Sequence, residues 1–514
     1  MDWWLWVLVG VAGLLVAVVA YDLTQRRHAI LRNFPVVGHL RYLLEAIGPE
    51  LRQYIVTDND SDKPFSRDHR RWVYASAKRT DAYYGFGTDN DLEGSNHYLI
   101  VKQAAFPLDA PRPATLADPD DRLPMAKVLG AARERRDAWR PTSAVNISSM
   151  SYGSLSGRAV ESLNRGAALA GCWQGTGEGG ITPHHRHGGD LIWQIGTGYF
   201  GCRDAAGRFD PGRFRVVVEA EPTIRAIEVK LSQGAKPGIG GLLPAAKVTP
   251  EIAALRGVPA GVDCVSPAAH SAFRGADALL DFVESLAEIS GKPVGIKTAV
   301  GDDALFHDLA RLMARGDRGI DFLVIDGGEG GTGAGPLVFT DHVALPFKVG
   351  FSRVYRIFAE AGLTDRVVFL GSGRLGLPAN ALLAFALGCD GVNVGREAML
   401  AIGCIQAQRC HTDRCPTGVA TQSRRLQRGL DPTDKSVRCA NYLSALRHEL
   451  LRLSRACGVA HPALVTAEQL EILDDRFGSE SARSVFGYRP DWGRPGPADL
   501  TALERLLGDG PGSD

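Results

Sequence analysis

From residue 140 onward, short apolar runs alternate with longer stretches in which apolar residues recur at every third or fourth position. The short runs predict buried strands and the longer stretches predict helices. The predicted strands are Ala144–Ile147, Leu191–Ile195, Ile224–Leu231, Val294–Lys297, Phe322–Ile325, Val367–Leu370 and Gly391–Val394. The predicted helices between them include 157–171, 276–290, 303–315, 350–361 and 378–387.

Strands that alternate with helices favour a parallel sheet. A run of about eight such units over roughly 250 residues or more favours a (β/α)8 barrel, the TIM barrel, over an open sheet. The glycine-rich segments after the predicted strands would then lie at the end of the barrel that carries the active site. We therefore predict an α/β fold: a TIM barrel with an N-terminal transmembrane helix, an N-terminal lead-in and a short helical C-terminal extension.

The chain begins with an uninterrupted apolar run. Trp3–Tyr21 carries no charge, and its nineteen residues at helical rise nearly cross a hydrocarbon core of ~30 Å. No basic residue precedes this run, whereas Arg26, Arg27 and Arg32 follow it. The positive-inside rule therefore predicts a single-pass anchor in the cytoplasmic membrane, with the catalytic domain on the cytoplasmic side. A cleaved signal peptide, with Ala20 as its small residue, is the alternative.

The chain divides into four predicted regions: an anchor over 1–22, a lead-in over 23–125, the barrel over 126–425 and a helical extension over 426–514. In the lead-in, helical spacing over 34–55 is predicted to break at Gly48-Pro49. Residues 107–124, with five prolines, indicate a linker or an extended arm. In the extension, two stretches of helical spacing precede a Gly-, Pro- and Asp-rich tail predicted to be partly disordered: Tyr442–Ala456 and Ala467–Leu473.

Composition narrows the range of partners. The 58 basic and 58 acidic residues balance, so nothing in the charge indicates nucleic acid as a partner. Six of the nine cysteines lie far apart, which argues against a disulfide framework and favours a reducing compartment for the barrel. Glycines are concentrated in short clusters, a pattern typical of loops that bring backbone close to a ligand.

The other three cysteines are spaced C-x5-C-x4-C. Cys404, Cys410 and Cys415 are followed at once by Pro416. Soft thiolates gathered in this way are the ligands that iron–sulfur clusters and zinc select, and the paired C-x2-4-C knuckles of zinc fingers do not occur here. Three thiolates favour a three-iron cluster, or a four-iron cluster completed by a distant ligand. A chance grouping of small buried cysteines is the alternative.

Two segments match the GxGxxG dinucleotide pattern, Gly175–Gly180 and Gly328–Gly333. Neither opens a convincing βαβ unit that ends in an acidic residue about 20 positions later, so a Rossmann interpretation is weak. As loops, both offer backbone N–H groups to an anion or to the edge of a cofactor without interference from a Cβ atom. Each taken singly is equally compatible with an ordinary turn.

Taken together, these segments resemble the synthase domain of glutamate synthase over about residues 140 to 425. The segment CxxxxxCHxxxCPxGVATQ is similar to the family's iron–sulfur loop, and Glu228–Gly238, with the residues up to Arg256, is similar to its substrate loop. The resemblance implies FMN and a 3Fe-4S cluster, the cluster held by Cys404, Cys410 and Cys415. It implies FMN contacts from Met150, Ser151, Gln194, Lys297, Gly330, Gly331, Gly371, Gly373, Arg374, Gly395 and Arg396.

The resemblance also implies a reaction, the reductive amination of 2-oxoglutarate with ammonia to L-glutamate. Lys236 and Arg256 would bind the two carboxylates, since a guanidinium offers a bidentate fork and an ammonium a point charge. Glu178 would move protons as the imine forms. Electrons would come from an external donor such as ferredoxin or a reductase subunit. Ammonia would arrive free or from a partner, because no amidotransferase domain precedes the barrel.

The substrate loop departs from the family pattern. Ile239 and Leu242 stand where the family carries a glutamate and a glutamine, and the family's HD pair before GGTGA is here Gly328-Glu329. An alternative is therefore an FMN and iron–sulfur dehydrogenase that acts on another amino or hydroxy acid and is coupled to membrane electron carriers. A non-catalytic redox sensor or scaffold at the membrane is a third interpretation.

Overall fold

The computed structural model of the protein describes residues 2–80, 85–111 and 123–508. It contains two compact units, Met1–Arg70 and Arg71–Asp514. The 112–122 part of the predicted linker and the last part of the predicted tail, 509–514, lie outside the described residues. The domain boundaries after residues 22, 125 and 425 stay predictions.

The first unit is helical. Its helices are α1 at Trp3–Thr24, α2 at Ala29–Asn33 and α3 at Gly38–Leu51, followed by a π-helical turn at Arg52–Val56. At about 1.5 Å per residue, the 22 residues of α1 extend for about 33 Å, long enough to cross a bilayer core. The predicted break at Gly48-Pro49 is wrong, because α3 runs through Pro49. A proline removes one N–H donor, and the π-helical turn that follows absorbs the irregularity.

In the second unit, eight strands among the described residues close into a parallel barrel, which confirms the predicted TIM barrel. Each strand pairs with the next along the chain, and the last pairs with the first. The strands are β1 Val145–Ile147, β2 Trp173–Gly175, β3 Asp190–Ile195, β4 Ile224–Lys230, β5 Val294–Thr298, β6 Phe322–Asp326, β7 Val368–Ser372 and β8 Gly391–Val394. The sequence did not predict β2, because three residues are too few to show a period.

Helices connect the strands, and the predicted helices agree with the structure to within a few residues. They are Gly157–Ala170, Pro211–Ala220, Pro250–Arg256, Gly275–Ser290, Ala304–Met313, Leu337–His342, Phe347–Glu360, Pro378–Ala386 and Arg396–Ala401. Short 3-10 turns lie at Ala131–Arg133, Pro183–His185, Ala245–Lys247 and Thr364–Arg366. A small antiparallel pair, Leu242–Leu243 with Cys264–Val265, lies in the long connection from β4 to β5.

The C-terminal extension contains the helices Arg424–Gln427 and Pro432–Ala456, and the second includes the stretch Tyr442–Ala456. The longer one packs on Gly157–Ala170, where a Cβ on Gly166 would lie 2.7 Å from the Cβ of Cys439, so glycine permits the close approach. The remaining elements are Pro462–Leu464, Ala467–Gln469, Leu470–Leu473, Ser479–Ser481, Ala482–Val485 and Pro497–Gly508.

The prediction of helix over Ala467–Leu473 is wrong. Only Ala467–Gln469 is helical, as one 3-10 turn, and Leu470–Leu473 is a strand that pairs antiparallel with Leu99–Val101. Seven residues do not separate a period of 3.6 from a period of 2, and the partner strand lies about 370 residues away. The predicted tail includes the helix Pro497–Gly508.

Candidate active site

A carboxylate and three cations meet at the carboxyl ends of β2 and β4. Glu178 lies in the loop after β2, and Lys230 is the last residue of β4. The Nζ atom of Lys230 is 3.2 Å from Oε2 of Glu178. Burial raises the pKa of Glu178, but the charges of Lys230, Lys236 and Arg256 outweigh it, so the net pKa is lowered. Glu178 is therefore an ionised carboxylate inside a cationic group.

Glycines hold this carboxylate in place. A Cβ on Gly196 would lie 2.7 Å from Oε2 of Glu178, and a Cβ on Gly241 would lie 2.4 Å from Oε1. Both distances are shorter than any real contact, so larger residues at these two positions would displace the carboxylate. The glycines of the loop after β3 and of the substrate loop thus have a packing role that the sequence pattern did not reveal.

The structure brings the predicted substrate residues Lys236 and Arg256 to this group, and both are buried. The Nζ atom of Lys236 donates to the carbonyl of Ala334 at 2.8 Å. Nη2 of Arg256 donates to the carbonyl of Tyr152 at 2.9 Å, and its Cζ lies 5.1 Å from the ring centre of Phe200. Burial, together with Lys230, lowers the pKa of Lys236 to about 8.

A small cavity opens beside Glu178. Glu178, Lys230 and Thr197 provide polar lining, while Ile239 and Pro267 provide apolar lining. Lys230 was not among the predicted site residues, although it lines this cavity. The departure at Ile239 therefore lies at the site itself, whereas Leu242 lies on the exposed pair of short strands.

Below this cavity, a second buried carboxylate joins three strand ends. Glu228 on β4 accepts hydrogen bonds from the predicted flavin residue Gln194 on β3 and from the hydroxyl of Ser149 after β1, the latter at 3.0 Å. Gln194 and Glu228 are also neighbours in the register of the two strands. Glu228 fixes the orientation of the Gln194 amide, because a carboxylate accepts only from the NH2 side.

A third carboxylate, Asp326 at the end of β6, organises the opposite side of the barrel mouth. It accepts from the N–H of Gly234 at 2.8 Å and from the hydroxyl of Ser372. The predicted flavin residue Lys297 is buried, with its Nζ atom 3.9 Å from Oδ2 of Asp326. Lys297 is thus placed at the strand ends, as predicted from its position in the sequence.

The predicted phosphate-binding residues come together after β6, β7 and β8. Arg396 donates to the carbonyl of Glu329, and a Cβ on Gly331 would lie 2.6 Å from the Cδ atom of Arg396. Burial lowers the pKa of Arg396, and the charge of nearby Arg374 lowers it further. Two guanidinium groups this close to each other favour an anion between them.

The glycines predicted at this site allow close packing of its loops. Gly373 has a φ of +119°, and a Cβ there would lie 3.1 Å from the N atom of Gly327. A Cβ on Gly371 would lie 2.8 Å from the side chain of Phe347, and one on Gly330 would lie 3.0 Å from the carbonyl oxygen of Gly327. At Gly395, by contrast, a Cβ would meet nothing closer than 3.6 Å, in the direction of Ser148.

The first barrel loop carries the predicted flavin residues Met150 and Ser151. The hydroxyl of Ser151 is 3.4 Å from that of Ser154, and the Sδ atom of Met150 would lie 3.9 Å from a Cβ on Gly395. Met150 is therefore close to the predicted phosphate loop. These contacts, the paired arginines and the glycine-lined loops provide a cradle that fits a phosphorylated planar cofactor such as FMN.

The cysteine loop lies against this first barrel loop. Lys247 is buried, and its Nζ atom donates to the carbonyl of Ser154 at 2.6 Å and to the carbonyl of Cys410 at 3.1 Å. The amide of Gln422 donates to the carbonyls of Gly153 and Leu155 at 3.0 and 2.9 Å. Together with the bond from Arg256, these contacts occupy four consecutive carbonyls, from Tyr152 to Leu155.

The three predicted cluster cysteines act on one another electrostatically. Burial raises the pKa of Cys404 to about 12, and the neighbouring Cys410 and Cys415 add to this rise. Within the described residues, no three His, Cys, Asp or Glu side chains are arranged around one point as a single metal ion would require. Three thiols in one loop are a donor set that fits an iron–sulfur cluster.

Several residues of this site were not among the predicted site residues: Lys230, Glu228, Asp326, Ser372 and Lys247. Glu228 and Lys230 belong to the segment that resembles the substrate loop, and their spacing of two places them on one face of a strand. That spacing was the signal available in the sequence. The partners of Asp326 and Lys247 are distant in the chain, so no local pattern indicated them.

Comparison with known proteins agrees with these observations. A family described as "Conserved region in glutamate synthase" matches residues 120–460. Glutamate synthase large subunit-like protein YerD of Bacillus subtilis is 36% identical over 502 residues, which cover 90% of this chain and 94% of that protein. Archaeal glutamate synthase (NADPH) of Methanocaldococcus jannaschii is 39% identical over 321 residues, which cover 61% of this chain and 59% of that protein.

Two solved structures of low similarity are also matched. A mutant flavocytochrome b2 with pyruvate bound has a TM-score of 0.42 at 14% identity, covering 83% of this chain and 91% of that one. A mutant of an active chimera of (S)-mandelate dehydrogenase has a TM-score of 0.44 at 15% identity, covering 78% of this chain and 97% of that one.

Proposed function

Because the chain belongs to the glutamate synthase family, a family of oxidoreductases, we propose that it forms L-glutamate from 2-oxoglutarate and ammonia. The observation that carries this proposal is the group of Lys230, Lys236 and Arg256 around the single carboxylate of Glu178. One negative and three positive charges leave an excess of two positive charges. A substrate with two carboxylates balances this excess, whereas a monocarboxylate leaves one buried cation uncompensated.

The reaction consumes two electrons and two protons for each molecule of 2-oxoglutarate and ammonium. The C2 carbonyl oxygen leaves as water, a C–N bond forms at C2, and the resulting imine is reduced to the amine. Glu178 is ionised because its pKa is lowered, so it would hold ammonium beside C2 and relay protons between the nitrogen and the departing oxygen as the imine forms. Lys236 and Arg256 bind the substrate carboxylates, and Lys230 holds Glu178 in position.

The proposal includes two cofactors, FMN and an iron–sulfur cluster. When bound, FMN would supply hydride transfer, and a 3Fe-4S cluster would supply single-electron transfer from an external donor such as ferredoxin or a reductase subunit. Lys297, near the end of β5, would stabilise negative charge on a reduced flavin ring. Arg374 and Arg396 would bind the phosphate, and Cys404, Cys410 and Cys415 would hold the cluster. Gln194, oriented by Glu228, would present its amide to the flavin.

The helix α1 supports a location for the protein at a membrane. It is long and apolar enough to cross a bilayer, and most of its residues are exposed, with Asp22 the buried one. Arg26, Arg27 and Arg32 follow it, which favours a single-pass anchor in the cytoplasmic membrane with the barrel on the cytoplasmic side. A cleaved signal sequence can have the same length and composition. N-terminal sequencing of the mature protein distinguishes a retained anchor from a cleaved signal sequence.

The direct test is product formation. Full-length protein, purified without oxygen, is supplied with reduced methyl viologen, 2-oxoglutarate and 15N-ammonium, and 15N-glutamate is measured by mass spectrometry. The proposal predicts glutamate that requires all three additions and is lost in Glu178→Gln. If protein with verified FMN and iron content forms no glutamate, the proposed substrate is wrong.

A second candidate function rests on Ile239, an apolar side chain that lines the cavity. An apolar wall there favours an amino or hydroxy acid with an apolar side chain, oxidised by a flavin whose electrons pass to membrane carriers. A screen that measures bleaching of the flavin absorbance by such acids distinguishes the candidates. Rapid bleaching by an apolar amino or hydroxy acid, without amination of 2-oxoglutarate, would favour the second.

A further inference from the structure

The helix α3 presents a stripe of apolar side chains to the outside. Leu40, Leu43, Leu44, Ile47 and Leu51 are between 37% and 57% exposed. Their spacing of i, i+3, i+4, i+7 and i+11 places them on one face of the helix. A helix of fourteen residues is only marginally stable in water by itself. Burial of this stripe against an apolar phase would therefore stabilise α3.

Away from the stripe, α3 carries the charged residues Arg41 and Glu45 together with Tyr42, Ala46 and Pro49. The Nε atom of Arg41 is 2.8 Å from Oε1 of Glu45, one turn later, and both side chains are exposed. The segment from residue 25 to residue 56 carries five arginines and two glutamates, so it is positively charged. An apolar stripe beside charged side chains, in a positively charged segment, is the pattern of helices that lie in the interface of a membrane with anionic lipids.

The position of α3 is tied to the end of α1. Asp22, in the last turn of α1, accepts from the backbone N–H of Val36 at 2.9 Å. Its other oxygen is 2.9 Å from Nε2 of His39 in the first turn of α3. These contacts connect the start of α3 to the place where the apolar part of α1 ends, which is where a membrane-spanning α1 would leave the hydrocarbon core.

We propose that α3 lies in the plane of the membrane interface, with its leucine and isoleucine stripe among the acyl chains and Arg41 and Glu45 toward water. The partner of this surface is a lipid bilayer that contains anionic phospholipid. The proposal rests on the proposed membrane anchoring by α1, because the anchor brings α3 to the interface. It extends the membrane contact of the chain from one crossing helix to a second, surface-bound helix.

The test places a photo-reactive residue on each face of α3 in the full-length chain. p-Benzoylphenylalanine replaces Leu44 on the apolar stripe, Glu45 away from the stripe as the matched control, or Leu14 in α1 as the control for the anchor. Each protein is reconstituted in nanodiscs of phosphatidylcholine and phosphatidylglycerol, irradiated and analysed by intact mass. We expect lipid adducts at positions 44 and 14, and about tenfold fewer at position 45.

The outcomes separate this inference from the proposed anchor. Lipid adducts at position 14, with position 44 cross-linked to protein instead, would overturn the proposal for α3 and keep the anchor. Equal lipid adducts at positions 44 and 45 would also overturn it, since the stripe would then have no special role. Without lipid adducts at position 14, the anchor itself fails and the proposal for α3 fails with it. None of these results bears on glutamate formation.

Discussion

The Nζ atom of Lys230 lies 3.2 Å from Oε2 of Glu178, and this ion pair joins the end of β4 to the loop after β2. Both residues line the cavity at the mouth of the barrel. The pair keeps the carboxylate ionised in a largely buried place and orients it toward the space where substrate is proposed to bind. Its removal should therefore change both substrate binding and the pH dependence of the reaction.

The first prediction concerns Lys230→Met, which keeps most of the side-chain volume and removes the charge. We expect the KM for 2-oxoglutarate to rise about 10- to 100-fold, because a charged hydrogen bond contributes about 1.5–3 kcal/mol. The loss of this cation also raises the pKa of Glu178. Glu178 is then ionised, and able to accept a proton, only at higher pH. The acid limb of the pH–rate profile should therefore move to higher pH.

The matched control is Lys292→Met, at the opposite end of the barrel, where the Lys292 ammonium is 3.6 Å from Asp137. This variant should keep the KM and the pH profile of the wild type. An acid limb that stays in place in Lys230→Met would contradict the role assigned to the ion pair.

The second prediction follows from the pKa of about 8 for Lys236, which burial lowers from the ordinary lysine value. As the pH rises through 8, Lys236 loses its positive charge, so the binding of a dicarboxylate should weaken and the KM for 2-oxoglutarate should rise. Lys236→Arg stays charged throughout and should lose this alkaline limb. The KM for 2-oxoglutarate is measured against pH for the wild type and Lys236→Arg. An identical alkaline limb in the two proteins would mean that a group other than Lys236 titrates there.

The third prediction concerns the departure at Leu242, where the family carries glutamine. Leu242 is exposed and does not line the cavity, so Leu242→Gln should leave the KM for 2-oxoglutarate unchanged. The control is Val265→Gln, the residue paired with Leu242 in the neighbouring short strand. A KM that falls in Leu242→Gln but not in Val265→Gln would contradict this and show that residue 242 reaches the substrate.

The barrel could be predicted because most of its strands are buried on both faces and form continuous apolar runs. The strand Trp173–Gly175 was not predicted because it is only three residues long. Leu470–Leu473 was assigned to a helix because its partner strand is distant in the chain. The motif residues Glu178, Lys236 and Arg256 do meet at the barrel mouth.

What the sequence could not supply were the contacts between loops. The bonds of Glu228 to Ser149 and Gln194 depend on strand register, and those of Asp326 depend on three separate loops. Such contacts arise when the barrel closes, so they leave no spacing to recognise along the chain.

The fourth prediction concerns Lys247, which links the first barrel loop to the cysteine loop. Lys247→Met removes both of its hydrogen bonds and leaves the carbonyls of Ser154 and Cys410 without this donor. We expect iron bound by anaerobically purified protein to fall from about three atoms per chain to below about one. The FMN content should change much less, because the paired arginines are elsewhere. Equal loss of FMN and iron would indicate general unfolding rather than a loosened cysteine loop.

The fifth prediction concerns Gly234, which touches the loop after β6. A Cβ at this position would lie 1.7 Å from the carbonyl oxygen of Gly327, so Gly234→Ala must displace backbone. We expect destabilisation of about 3 kcal/mol or more, and loss of FMN. Gly238→Ala is the control: its φ of +78° is left-handed but nothing lies within 4 Å, so the cost should be about 1–2 kcal/mol. The free energy of unfolding in urea and the flavin content are measured for both variants. Equal losses in Gly234→Ala and Gly238→Ala would show that the predicted clash with the Gly327 carbonyl has no effect.

The most direct test of the central claim is a single turnover at the barrel mouth. Wild-type protein with its flavin reduced by light under anaerobic conditions is mixed with 2-oxoglutarate and ammonium, and the return of the oxidised flavin absorbance is followed. We predict fast reoxidation that requires both compounds and stops in Glu178→Gln. Reoxidation without ammonium, or equally well with a monocarboxylic 2-oxo acid, would contradict it.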